Sequence, residues 1–359
     1  MYKFRNIDSF RPQEFEEVGE LKGKRWYIDA QTNRKGLFKP QRHEFKDRKV
    51  FCANHYGEFV GSVIATKGGN ETCKTELAHN NQYYSNIYKE RNGATPEEKD
   101  GCIIYCELEE GDNLEPGEVT IEKFKEQNKE LFEELTKNDQ KISRANDNIE
   151  VILASVECRV REGYEEMIGE GSEDYIQSRI LVNKKRIINQ MVYDCLYGNY
   201  DRHDENWSMR LKRKGKIDVY PMYDNERVLG LYENLQFIEN AINQGKIKEI
   251  SEEKFFSRMM VPGEKKKNST YKDVLGYLVD KYPEETIEAI KRETQRITPV
   301  TIRETLENCE RLPQEYIEFG SKMHKYRYDF ARELVERNKK NIKEEPQKRE
   351  IKSIIDEER

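Results

Sequence analysis

The chain predicts a two-lobed α+β fold, with a small, mixed, β-rich N-lobe and a larger, mostly helical C-lobe. Three observations carry this reading. Short alternating apolar segments occupy residues 25–108, whereas long segments of helical period fill most of the chain beyond residue 117. Between them, Glu109-Glu110-Gly111-Asp112-Asn113-Leu114-Glu115-Pro116-Gly117 concentrates turn residues, as a connector between lobes does. At 359 residues the chain exceeds one average domain but suits two lobes sharing a cleft. The expected division is 1–110 for the N-lobe, 111–117 for a hinge-like connector, 118–335 for the C-lobe and 336–359 for a charged tail.

Taken in order, residues 1–24 are polar, with a helical pattern around Pro12–Leu21. Arg25-Trp26-Tyr27-Ile28 and Gly36-Leu37-Phe38-Lys39 read as two strands about a polar turn, Asp29–Lys35. A helix opens at Glu58 and runs through Ala65, and strands are expected at Thr75–Ala78 and Gly101–Leu108. Helices are expected near 120–136, 145–165, 173–197, 233–244, 271–280, 284–297, 300–309 and 313–340. Ile180, Leu181, Ile187, Ile188, Met191, Val192, Cys195 and Leu196 recur at intervals of three and four, marking the buried face of the third. Gly198 stops that helix, as glycine does in a left-handed cap. Lys265-Lys266-Lys267 lies in a Gly/Asn/Ser loop and reads as a solubilising tip rather than a docking patch.

The chemistry concentrates just beyond Gly198. Asp201 is followed by Asn206 five residues on and by Asp224 after 23 residues, each Asp shortly after an apolar run. Phosphoryl transfer from ATP needs such a trio. One carboxylate takes the attacking hydroxyl's proton, while an amide oxygen and a second carboxylate hold Mg²⁺ on the phosphates. Asp201 is thus the candidate base, and Asn206 and Asp224 are the candidate metal ligands. Trp207–Leu211 and Ile217–Tyr220 form a hairpin between them, so that helix, polar loop, hairpin and Asp come in the order of a kinase C-lobe. Lys39, at the end of its strand, is placed to reach the α/β-phosphates. Glu58 is a candidate ion-pair partner for it, or simply an acid favoured in a helix's first turn. Glu44 and Glu76 are rivals for the pairing role.

Asp201-Arg202-His203-x-x-Asn206, Tyr223-Asp224, Leu37-Phe38-Lys39-Pro40 and Gly57-Glu58 together resemble the HipA-like kinases and, among them, the smaller effector kinases of the CtkA type. The resemblance runs in order over roughly residues 25–335. It implies a protein-kinase-like fold, serine/threonine phosphotransfer from ATP with Mg²⁺, and the same roles for Asp201, Asn206, Asp224, Lys39 and Glu58. The cleft is expected near Glu107–Pro116, with Glu107 at the nucleotide. Two departures stand out. The turn Asp29–Lys35 has no glycine, leaving Arg34 and Lys35 to supply charge over the triphosphate. Asp224-Asn225-Glu226 replaces Asp-Phe-Gly, so a flipping phenylalanine is absent. Thr32 is the candidate autophosphorylation site.

Composition bounds the alternatives. A net charge of −6 and a pI near 5.7 argue against a nucleic-acid protein. There is no 18-residue apolar run and no signal-peptide core, so no membrane partner is expected. Seven scattered cysteines make neither a disulfide framework nor a CxxC metal site. The expected setting is cytoplasmic, and an effector delivered into a host cell would carry the same signature. The expected partners are a protein bearing the Ser/Thr acceptor and an antitoxin or host protein. Histidines at metal-ligand spacing, GxSxG and HExxH are all missing, which disfavours hydrolysis. A phosphoinositide-kinase-like enzyme, whose loop is also Asp-Arg-His-x-x-Asn, and a non-catalytic pseudokinase are the competing readings. Intact Asp201, Asn206 and Asp224 weigh against the last.

Overall fold

The computed structural model describes residues 1–13, 24–41, 43–46, 48–81, 100–137, 142–168, 173–213, 215–253, 257–263 and 269–338. The expected helix at Pro12–Leu21, the Lys265–Lys267 loop and the tail beyond 338 fall largely or wholly outside them.

The N-lobe is built on a six-stranded sheet. Its strands are β1 (Arg5–Asn6), β2 (Arg11–Pro12), β3 (Arg25–Ile28), β4 (Lys35–Pro40), β7 (Thr75–His79) and β8 (Asp100–Tyr105), in the order β1-β7-β8-β4-β3-β2. Only β1 and β7 pair in parallel; the other pairings are antiparallel. β5 (His43–Lys46) and β6 (Arg48–Phe51) form a separate hairpin. Phe38 of β4 is buried against Tyr27, Ile103 and Tyr105, which fixes the inward face of β4. That alternation leaves Lys39 on the opposite face, toward the C-lobe.

Helix α1 (Asn54–Gly68) begins four residues before the expected start and ends at Gly69, whose left-handed φ of 85° caps the last turn. Its apolar residues Tyr56, Phe59, Val60 and Ile64 join the C-lobe core, not the small cluster of the N-lobe sheet. Tyr193 donates to the Gly61 carbonyl at 2.8 Å, and Asn70, just after α1, donates to the buried Glu293 at 2.7 Å. α1 is therefore part of the sheet's lobe by sequence and of the helical lobe by packing.

The chain crosses between lobes after Tyr105. The expected connector is half strand: β9 (Asn113–Pro116) pairs with β10 (Ser208–Leu211), which pairs with β11 (Ile217–Val219). The C-lobe helices are α2 (Gly117–Gln127), α3 (Lys129–Thr136), α4 (Ile149–Ile168), α5 (Glu173–Tyr197), α6 (Leu235–Asn243), α7 (Ile247–Glu253), α8 (Tyr271–Lys281), α9 (Pro283–Arg296), α10 (Pro299–Glu307) and α11 (Gln314–Asn338). α5 presents the expected apolar face to the core, Leu181 excepted, which is exposed. None of the described helices is long and apolar enough to cross a membrane.

Candidate active site

Three elements converge on one buried ammonium. Lys39 Nζ, near the end of β4, donates to Glu58 of α1 and, at 2.5 Å, to Asp224 Oδ1 beyond β11. Lys39 and Glu58 are almost fully buried, at 4% and 1% exposure. Burial works to lower the lysine pKa, but Asp224 and Glu58 outweigh it and hold the ammonium well above its usual range. The two carboxylates share one cation and separate in consequence. Burial pushes Glu58 upward, whereas Lys39 overrides burial at Asp224 and holds it well below the ordinary carboxylate range. Glu76 is committed elsewhere, to Arg5 at 3.0 Å, which removes one rival of Glu58. The Glu44 side chain falls outside the described ones.

The close approach depends on glycine. A Cβ on Gly57 would collide with the Glu226 carbonyl, and one on Gly61 would lie 2.5 Å from Asn225 Cβ. These two residues, one helical turn apart, let α1 lie directly against the Asp224–Glu226 backbone. Asp224 itself takes φ 57°, a left-handed conformation that Asp tolerates better than most residues. The backbone N–H of Asn225 donates to Glu58 Oε2 at 2.9 Å, which secures the turn.

Asp201 and Asn206 lie on the loop after α5. Asn206 Nδ2 donates to the Asp201 carbonyl at 2.6 Å, which leaves its amide oxygen as the available ligand atom. Arg202 is the hub of the loop. Its buried guanidinium grips Asp194 of α5 through two nitrogens at 3.0 and 3.1 Å. It also donates to the carbonyls of Asn206 (2.9 Å) and Tyr223 (2.5 Å) and to Asn225 Oδ1 (2.8 Å). One side chain thus ties the helix, the loop and the residues flanking Asp224 together. His203 faces the carboxylates of Asp204 (3.7 Å) and Glu205 (3.6 Å), and the Asp204 interaction raises its pKa.

Asp201 is clamped. Arg227 Nε lies 2.8 Å from Oδ2, and Arg258 Nη1 donates to Oδ1 at 3.4 Å. The sequence pattern singles out neither arginine. Arg258 is 57 residues from Asp201, and nothing local marks it.

The structure does not bring Arg34 and Lys35 to Lys39. The register Arg25↔Phe38 to Ile28↔Lys35 puts the turn Asp29–Lys35 at the far end of the hairpin, about 13 Å away along β4. There Arg34 donates to Glu107 at 2.7 Å beside the lobe crossing, Lys35 lies over the Trp26 ring, and Thr32 is exposed. The residue that does arrive beside Lys39 is Lys24, one step beyond the Arg25–Phe38 pair. Burial and then the Lys39 charge lower its pKa, while Asp224, Glu226 and Glu58 act in the opposite sense. The signal available was Gly19-x-x-x-Gly23-Lys24, though both glycines fall outside the described residues.

The donor set suits a hard cation. Glu58, Asp224 and Glu226 offer oxygens all within 4.8 Å of one another, and Arg202 ties the Asn206 and Tyr223 carbonyls of the adjoining segments together. Carboxylate and amide oxygens are what Mg²⁺ takes beside phosphate.

No family model matches the chain, and no curated protein matches it in sequence. Among solved structures, it is similar to the Helicobacter pylori proinflammatory kinase CtkA, with a TM-score of 0.67, 15% identity, and coverage of 92% of this chain and 99% of that one. It is also similar to HipA from the Shewanella oneidensis toxin–antitoxin complex of HipA, HipB and operator DNA. There the TM-score is 0.52 at 12% identity, over 90% of this chain and 67% of the other. The chain has the two-lobed, kinase-like α+β fold of CtkA and HipA.

Proposed function

We propose that the protein is an ATP- and Mg²⁺-dependent serine/threonine protein kinase. The observation that carries this is the bridging of Lys39 to both Glu58 and Asp224, on a frame that Arg202 ties to the Asp201–Asn206 loop. Bound Mg²⁺ would neutralise phosphate charge, and Asp224 and Asn206 are the residues that would hold it. Lys39 would exchange Asp224 for the α/β-phosphates of ATP, with Glu58 keeping its ammonium in place. Lys24 would add a second cation at the same end. Asp201 would take the proton of the acceptor hydroxyl as that oxygen bonds to the γ-phosphorus. The bond from phosphorus to the β–γ bridging oxygen breaks, and ADP leaves with that electron pair.

The acceptor is a protein hydroxyl rather than an inositol lipid. A phosphorylated headgroup needs clustered Lys and Arg beside the metal, because attraction fades within a Debye length of roughly 8–10 Å. After Asp224 the chain offers Arg227, already engaged with Asp201, and then a mildly acidic stretch through Glu239. The test supplies labelled ATP and Mg²⁺ to wild type and Asp201→Asn, with lysate proteins or with phosphoinositide vesicles. Label in protein with wild type alone is expected. Label in lipid alone would replace this reading with the lipid kinase, and no label above the variant would leave a nucleotide-binding protein.

A further inference from the structure

We infer that Arg258 selects acceptors carrying an anionic residue beside the hydroxyl, and that binding this anion frees the base. The inference rests on the kinase reading and names its substrate class. Both oxygens of Asp201 face guanidinium groups, and the two arginines differ in a decisive way. Arg227 is fixed. It lies over the rings of Tyr232 (4.0 Å) and Tyr200 (4.8 Å), and it donates to the Tyr200 hydroxyl at 3.1 Å. Arg258 is held loosely. Its contact with Asp201 is 3.4 Å, its second carboxylate, Asp147, is 3.7 Å away, and its side chain is 45% exposed against 22% for Arg227.

A base whose Oδ1 faces Arg258 is poorly available to a hydroxyl proton. The guanidinium must move aside, and because it is loosely held and exposed, a new partner can draw it from Asp201. A carboxylate or phosphate on the incoming chain supplies that partner, in the geometry guanidinium recognises best. The backbone supporting Arg258 stays in place meanwhile, because Met260 pairs with Asn148 and its N–H donates to the Asp147 carbonyl at 2.8 Å. The protein as a whole carries −6, so its overall field does not attract an acidic acceptor. Recognition must come from a local cation, and among the described residues Arg258 is the exposed one at Asp201.

The test gives the full-length protein Mg·ATP and Ser/Thr peptides that differ only in Asp, phosphoserine, Gln or Lys beside the hydroxyl. Wild type is expected to prefer Asp or phosphoserine over Gln by about ten-fold or more in kcat/KM, the scale of one charge-assisted hydrogen bond, through a lower KM from the new contact and a higher kcat from the freed base. Preference for only one of the two identifies the anion as carboxylate or phosphate. Arg258→Gln should bring the ratio close to one, Arg258→Glu should turn it toward Lys, and Arg258→Lys should keep part of it. Melting curves confirm that each variant is folded. No anionic preference in wild type overturns the inference while the kinase reading stands. So does a fall in kcat on every peptide with the ratio unchanged, which would make Arg258 a γ-phosphate contact. No label on any peptide or lysate protein defeats both readings.

Discussion

The two ends of the candidate site are built on opposite principles. At the Lys39 end, a buried Lys39 and Glu58 and a partly exposed Asp224 offset one another's charge, and two glycines allow the backbones to touch. At the Asp201 end, a half-buried carboxylate meets two arginines, one of them nearly half exposed. Under the proposed function, the buried end, fixed by packing, would serve the nucleotide, and the open end, held by ion pairs, would meet the acceptor.

The sharpest way to break this comparison is to remove one carboxylate from each end. Asp201→Asn should cost roughly 10²–10⁴-fold in turnover with ATP affinity largely kept, because proton acceptance acts in the transition state. Asp224→Asn should weaken Mg·ATP binding as well as turnover, since it removes the charge that would hold the metal. Nucleotide titration beside single-turnover rates separates the two. Near-normal turnover in Asp201→Asn would sink the assignment of the base.

Arg202→Ala tests whether the two ends share one frame. It leaves Asp194 buried without its guanidinium, and loss of one partner from a buried pair costs about 3–5 kcal/mol. Burial already raises the Asp194 pKa, so an added Asp194→Asn should recover part of the loss by removing the stranded charge. Denaturant unfolding of the single and double variants measures this. A loss below about 1 kcal/mol for Arg202→Ala would mean that the hub is dispensable.

Gly57→Ala probes the buried end alone. Alanine would gain about 1 kcal/mol of helix propensity, but the Cβ meets backbone at Glu226, and such overpacking costs about 1–3 kcal/mol. We expect net destabilisation and weaker nucleotide binding, because α1 must retreat and carry Glu58 with it. A stabilised variant with unchanged nucleotide affinity would show that α1 does not need this contact.

What the sequence disclosed divides along the same line. The placement of Asp201 and Asn206 just beyond α5, and of Asp224 just beyond β11, is legible because those elements show a clear period. Lys39 is legible as the end of an alternating strand. The two-residue strands β1 and β2 are too short to show any period, so Arg5–Asn6 and Arg11–Pro12 pass as loop. β9 is hidden because its Asn and Pro read as turn, and only pairing with β10 makes it a strand. Hairpin direction was the widest gap. The residue pattern gives two strands and a turn but not which end lies beside Lys39, and the register puts Lys24 there and the Asp29–Lys35 turn at the opposite end. Arg258 and the buried role of Asn225 arise from tertiary contact, which no local pattern encodes.

The smallest effect belongs to His203, at the open end. Protonated, it faces the carboxylates of Asp204 and Glu205; neutral, its Nδ1 can accept the Glu205 N–H at 3.3 Å. Each state has a partner, so the balance between them is shallow. Its folded pKa is raised above the unfolded value near 6.5, chiefly by Asp204. The folded form therefore binds the proton more tightly than the unfolded one. This contribution is fully present below about pH 6.5 and is lost as pH rises through the folded value. The long separations of 3.7 and 3.6 Å and the exposure of Glu205 keep it below about 1 kcal/mol. Unfolding free energies for wild type and His203→Gln, measured from pH 5 to 8, should converge at the alkaline end and separate at the acid end. A gap that widens with rising pH would reverse the sign and remove His203 from the acid-paired role.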